Sequence, residues 1–160
     1  MVIGAVGSVY ALVRTGTAEE FKQAFDPETD SADELLFRAL AHRTPEDRVA
    51  MAAFLLDEGA DASLLQPPNS VLNVLFGQAA HDFELEAPLV LRMLEAGADI
   101  NHRTRRGETP LTQLQNLEGV RDESMVPVYD VLLAWPELDL SLPLSPKRPE
   151  GPTVRESIFA

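Results

Sequence analysis

An all-α fold, an α-solenoid of helix-turn-helix repeats, is what the sequence predicts. Three observations carry that prediction. A segment with an apolar pair followed by Gly-Ala-Asp recurs at a fixed offset. Helix-start signals recur at nearly the same offset. The 160 residues fit one domain, with no Cys and no apolar run of the roughly 18 residues that a membrane helix needs.

The recurring end is clearest in Phe54-Leu55-Leu56-Asp57-Glu58-Gly59-Ala60-Asp61-Ala62-Ser63. It returns 38 residues later as Leu91-Arg92-Met93-Leu94-Glu95-Ala96-Gly97-Ala98-Asp99-Ile100-Asn101. Its physical meaning is a helix closed by a Gly in the left-handed region, then an extended stretch. A degenerate third copy runs from Val131 to Ser141, where Trp135-Pro136 replaces the Gly and demands a different cap.

Each end is followed by a polar turn and a new start. In Gly107-Glu108-Thr109-Pro110-Leu111, Thr109 supplies an N-cap and Pro110 suits the first helical turn. Asn69-Ser70-Val71-Leu72 and Asp33-Glu34-Leu35-Leu36 are weaker equivalents. The helices they open are apolar over most of their circumference, as in Val71, Leu72, Val74, Leu75 and Phe76, and so are buried on several sides.

The second helix of each unit is more amphipathic. Val49, Ala52, Ala53 and Leu56 mark one buried stripe, and Met125, Val128, Tyr129 and Leu132 another. Thr44-Pro45-Glu46-Asp47 reads as one start, and Ser124 with Pro127 as the other.

These residues resemble the ankyrin repeat family. Gly107-Glu108-Thr109-Pro110-Leu111 is similar to its G-x-T-P-L start, and Leu94-Glu95-Ala96-Gly97-Ala98-Asp99-Ile100-Asn101 to its L-x-x-G-A-D-x-N end. The resemblance implies a turn and two antiparallel helices per unit, stacked with the turns as fingers. It divides a single domain, 1–160, into an N-terminal cap at 1–32, units at 33–68, 69–106 and 107–150, and a fragmentary cap at 151–160. In the cap, Val9 to Gly16 and Thr17 to Phe21 resemble a repeat core without its opening turn. The usual period is about 33 residues, so the longer spacings here imply insertions, placed at His81-Asp82-Phe83-Glu84 and at Glu118 to Glu123. The family's His after T-P-L is Thr112, which weakens or replaces a turn-stabilising bond.

Composition narrows function. The 26 acidic and 13 basic residues give a net charge of −13, which repels phosphate backbones and disfavours nucleic acid as a direct partner. Surplus acid is often a solubility device, but it also speeds encounter with basic partners. Without Cys there is no disulfide framework or thiolate chemistry, which is compatible with a reducing cytoplasm. Met1 to Val13 lacks a basic leading segment and makes a poor signal peptide. Arg outnumbers Lys 11 to 2, a bias associated with GC-rich bacterial genomes.

No catalytic, cofactor or metal site is expected. P-loop, zincin and nucleophile-elbow motifs are absent, and Gly4-Ala5-Val6-Gly7 reads as a lead into the first helix. His42, His81 and His102 lack metal-ligand spacing. His102-Arg103-Thr104-Arg105-Arg106 is the one concentrated basic patch and falls on a finger. It reads either as a recognition site for an acidic group or as a solvated turn. Leu64, Leu65, Pro67 and Pro68 make an apolar finger, either an interface anchor or packing under the inserted loops. In the family register, inner-helix ends face partners. The partner-binding candidates are therefore His102, Arg103, Arg105, Arg106 and Glu108, then Leu65 and Pro67, then His42, Gln78, Asn116 and Leu117. Trp135 is expected to cover the apolar edge of the last unit.

The expectation is a cytoplasmic protein-binding module without catalysis, and specifically an acidic inhibitor of the immunity type that neutralises a basic toxin or nuclease. One alternative is an adaptor gripping an acidic partner through Arg103, Arg105 and Arg106. Another, of a different class, is a minor hydrolase with its site in the inserted loops around His81 and Glu118. The balance favours a monomer without membrane attachment, although an imperfect cap would expose apolar helix edges. Six of the twelve Pro residues lie from Pro127 onward, so whether the C-terminal segment is ordered is open at this stage.

Overall fold

The computed structural model describes residues 8–159, so Gly4-Ala5-Val6-Gly7 lies outside the described residues. Among these, nine helices form and no strand. They are α1 (Val9–Thr15), α2 (Ala18–Ala24), α3 (Ala32–Leu40), α4 (Pro45–Asp57), α5 (Val71–Phe76), α6 (Phe83–Glu95), α7 (Pro110–Gln115), α8 (Asp122–Ala134) and α9 (Val154–Ile158). The fold class is therefore all-α. No helix among the described residues is long and apolar enough to cross a membrane.

The helices alternate between two layers. α1 packs on α3, α3 on α5 and α5 on α7, while α2 packs on α4, α4 on α6 and α6 on α8. The pairs α1–α2, α3–α4, α5–α6 and α7–α8 join the layers. Leu35, Leu36 and Leu40 of α3, Leu72, Leu75 and Phe76 of α5, and Leu111 and Leu114 of α7 are almost fully enclosed. Short helices apolar all round belong between neighbours on three sides.

Local chemistry explains the boundaries. The hydroxyls of Ser8, Thr17, Ser31, Ser70, Thr109 and Thr153 and the carboxylate of Asp82 each accept the N–H three residues on. Each satisfies an amide that the helix itself leaves unpaired. α4 and α6 close as Schellman motifs. Gly59 (φ 94°) and Gly97 (φ 102°) let Ala60 N–H reach Leu55 O and Ala98 N–H reach Met93 O, both at 3.0 Å. At the end of α8 the chain leaves instead through extended Trp135 (φ −74°, ψ 124°), which packs half-buried against the core. After each end the same turn recurs: Asp61, Asp99 and Asp139 each accept the N–H two residues on, at 2.9 Å. Thr112 closes a capping box with Thr109, accepting Thr109 N–H at 2.8 Å, so the turn-stabilising bond is replaced locally.

Several boundaries depart from the sequence reading. α8 starts at Asp122, two residues before Ser124, and holds Pro127 inside, as α6 holds Pro88. Each Pro sits early in its helix with an exposed residue four positions before it, Glu84 or Glu123. The carbonyl released there can therefore bond to water. Asp82, Phe83, Asp122 and Glu123 belong to helix starts, so the added lengths are the loops 77–81 and 116–121. The stripe of α4 is Arg48, Met51, Ala52 and Leu55, one residue out from Val49, Ala53 and Leu56. α4 touches α2, α3 and α6, which leaves its flanks half-buried and blurs the pattern. Thr44 offers no side-chain cap. The Pro-rich C-terminal segment folds back on itself, pairing Leu144 N–H with Pro152 O at 2.7 Å and Val154 N–H with Leu142 O at 2.9 Å.

Candidate functional site

The basic turn stands beside the turn that precedes α5, and between them lies a groove of about 290 Å³. Pro68 and Asn69 form one wall, Thr104 to Glu108 the other, and Asn73, Gly77 and Gln113 the floor. The floor is tied across the helices: Asn73 Nδ2 donates to Gln113 Oε1 at 2.9 Å, and Gln113 Nε2 donates to Asn73 O at 3.1 Å. Arg105 and Arg106 are exposed here, and Glu108 accepts from Asn116 Nδ2 at 2.6 Å.

His102 and Arg103 do not project with them. His102 Nε2 donates to Pro68 O at 2.8 Å, bracing the neighbouring turn. Arg103 donates to Gly107 O at 2.6 Å and to Pro143 O at 2.5 Å, which uses its fork as a strut for the C-terminal segment. The basic finger thus contracts to Arg105 and Arg106.

His42 also departs from expectation. It is 4% exposed, with Nε2 donating to Gly16 O at 2.9 Å and Nδ1 accepting Thr44 N–H at 3.0 Å. Nδ1 serves the loop between α3 and α4, Nε2 ties that loop to the one between α1 and α2, and neither is free for a partner. Gln78 is half-buried and donates to Val74 O at 2.7 Å. Asn116 is exposed, and Leu117 is half-buried against the core. Leu64 and Leu65 are 42% and 46% exposed and Pro67 is exposed, so this finger is presented to solvent instead of lying under a loop. The groove brings Arg105, Arg106 and Glu108 together, with Asn116 bonded to Glu108, and leaves Leu65, Pro67, His42 and Leu117 elsewhere.

A polar cluster that the sequence reading missed lies between α4 and α6. Arg48 and Glu86 are wholly buried, with Nη1 3.7 Å from Oε2. Arg48 also donates to His42 O at 2.8 Å and to Ala80 O at 2.9 Å, while its Nη2 has no partner. Burial pushes the Arg48 pKa down and the Glu86 carboxylate pulls it back up. Glu86 accepts Asp82 N–H at 2.5 Å and pairs with His81 Nδ1 at 2.7 Å; His81 Nε2 faces Gln78 O at 2.8 Å. With Phe83 stacked on its ring at 4.8 Å, His81 offers neither nitrogen to the surface.

Two wider grooves flank the start of α8. One, about 700 Å³, runs between the starts of α6 and α8 and is lined by Asp82, Glu84 and Glu123 together with Phe83, Val120 and Val126. The other, about 560 Å³, lies between α8 and α9, lined by Asp122 and Glu123 together with Leu111, Val126, Tyr129, Leu133 and Ile158. Partial burial raises the Tyr129 pKa, and Asp122 adds to the rise. Among the described residues no cluster of His and carboxylates could hold a metal ion.

No family model matches the chain, and no curated protein matches it. A solved structure does: the crystal structure of a functionally unknown protein from Leptotrichia buccalis. It superimposes with a TM-score of 0.72 at 23% identity, covering 95% of this chain and 84% of that one. At that identity the likeness establishes the fold alone.

Proposed function

We propose that the chain is a non-catalytic protein-binding module, an ankyrin-like stack of about four repeats, that holds a basic protein against its acidic surface. The observation that carries this reading is the pair of grooves beside α8, each lined by carboxylates together with apolar side chains, on a chain of net charge −13. Carboxylates steer basic partners, and apolar side chains supply contact area. The recurring Gly and Asx turns and the two alternating helix layers support the repeat architecture. Within this class, an inhibitor of the immunity type that occupies a basic toxin or nuclease fits the charge. The hydrolase alternative loses support, because His81 has both nitrogens engaged.

The test is capture by the tagged chain from its own organism's lysate at about 50 and about 300 mM salt, between which screening strengthens severalfold. A basic protein retained at low salt and lost at high salt supports the proposal. A second reading, an adaptor for an acidic partner, draws on the exposed Arg105 and Arg106. An acidic protein lost on Arg105→Glu/Arg106→Glu would replace the first reading with the second.

A further inference from the structure

The two acidic grooves share Glu123 and Val126, so the first turns of α8 form the ridge between them. Asp122, Val126, Tyr129 and Leu133 lie on one narrow stripe of that helix, because steps of four, seven and eleven residues return to the same side at 3.6 residues per turn. Val126 is 47% and Leu133 43% exposed. In the layer α2–α4–α6–α8 each helix before α8 has a following one packed on it. No helix of comparable length follows α8 among the described residues; the five-residue α9 stands there, bringing Ile158 to the edge of the second groove.

We infer that this stripe is the docking surface for a basic amphipathic helix of the partner protein, which adds itself as the next member of the layer. The inference rests on the basic-protein reading above. Charge complementarity selects the occupant. Asp82, Glu84, Asp122 and Glu123 line the grooves beside the stripe and Asp130 is exposed on the same helix, while Arg121 is the single Arg or Lys lining either groove. A helix with an apolar face flanked by Lys and Arg satisfies both features. A second copy of this chain does not, since it brings the same acids and the same charge of −13. The 13 residues of α8 span about 20 Å, the length of a partner helix of similar size.

The experiment titrates the ¹⁵N-labelled full-length chain with a synthetic helical peptide of about 14 residues, Leu on one face and Lys elsewhere, and with its Glu counterpart. The Lys peptide is expected to shift the amides of Asp122 to Leu133, to weaken with salt, and to lose about tenfold in affinity on Val126→Ser/Leu133→Ser. Both side chains are surface-exposed, so circular dichroism should show the variant folded. Shifts that map elsewhere, unchanged affinity in the variant, or equal binding of the Glu peptide would overturn the inference. So would a wild-type dimer in sedimentation that the variant abolishes, since the occupant would then be a second copy. Lysate capture separates the two levels: a basic partner kept by the variant removes this surface and leaves the binding reading standing. Failure of the wild-type chain to capture any basic protein removes the reading itself.

Discussion

Replacing Glu86 should destabilise the protein far more than replacing the arginine it faces. In Glu86→Ala the Arg48 cation stays fully buried, held by two carbonyls, with its Nη2 already without a partner and its carboxylate gone. Breaking a buried pair in this way costs about 3–5 kcal/mol. With an unfolding entropy of about 2.1 cal/mol/K per residue over 160 residues, the melting temperature should fall by about 9–15 °C. In Arg48→Met the charge leaves with the side chain. Glu86 keeps the Asp82 amide and His81, and exposed Ala80 can turn its carbonyl to water, so the main cost is the one buried carbonyl of His42, about 1–3 kcal/mol. Arg48→Met/Glu86→Gln should cost less than the sum of its single replacements by about 2 kcal/mol. Urea unfolding followed by circular dichroism measures all of these. Additivity within about 0.5 kcal/mol, or a larger loss for Arg48→Met than for Glu86→Ala, would show that the carboxylate does not hold the arginine.

Other substitutions test the struts and turns. Gly107→Ala meets a positive φ of 86° and places its Cβ 2.7 Å from Pro146 Cδ, whereas Gly59→Ala at φ 94° meets open space. Stability should drop for both, by about 1 kcal/mol of left-handed strain for Gly59→Ala and by about 1–3 kcal/mol more for Gly107→Ala, and thermal melting reads the order. Arg103→Ala should make the segment after Pro136 a preferred site of limited proteolysis, because it removes the bond to Pro143 O; Arg105→Ala should leave cleavage unchanged. Ser63 and Ser141 bond Asp61 and Asp139 and hold both carboxyls below their ordinary pKa. A carboxyl depressed in the folded state adds stability above its ordinary value near about pH 4, and that stability is lost as pH falls through the depressed one. Ser63→Ala/Ser141→Ala should therefore flatten the acid limb of melting temperature against pH.

What could be read from the sequence was the chemistry completed within a few residues. Gly59, Gly97, Ser70 and Thr109-Pro110 each set a cap with neighbours in the chain, and the structure builds those caps as expected. Whatever depends on a partner some 26 to 40 residues away stayed hidden. Arg103 reads as a free cation until Pro143, 40 residues on, arrives within reach of its guanidinium. His42 reads as exposed because its acceptor, Gly16 O, lies 26 residues back. Arg48 fell beside the expected stripe of α4 because a charged residue is read as solvated unless its counter-ion is known. A signal for it nevertheless existed: Arg48, Glu86 and Met125 are each the fourth residue of successive long helices, all three buried. Opposite charges at one position of two successive long helices, followed by an apolar residue at the third, are the pattern of a buried pair between packed helices. The surface beside α8 was opaque for the complementary reason. Val126 and Leu133 alternate with the buried Met125, Val128 and Leu132, and only the absence of a following long helix among the described residues separates a core face from an exposed one. Where no later helix packs on an element, periodicity therefore says least about which apolar positions stay exposed.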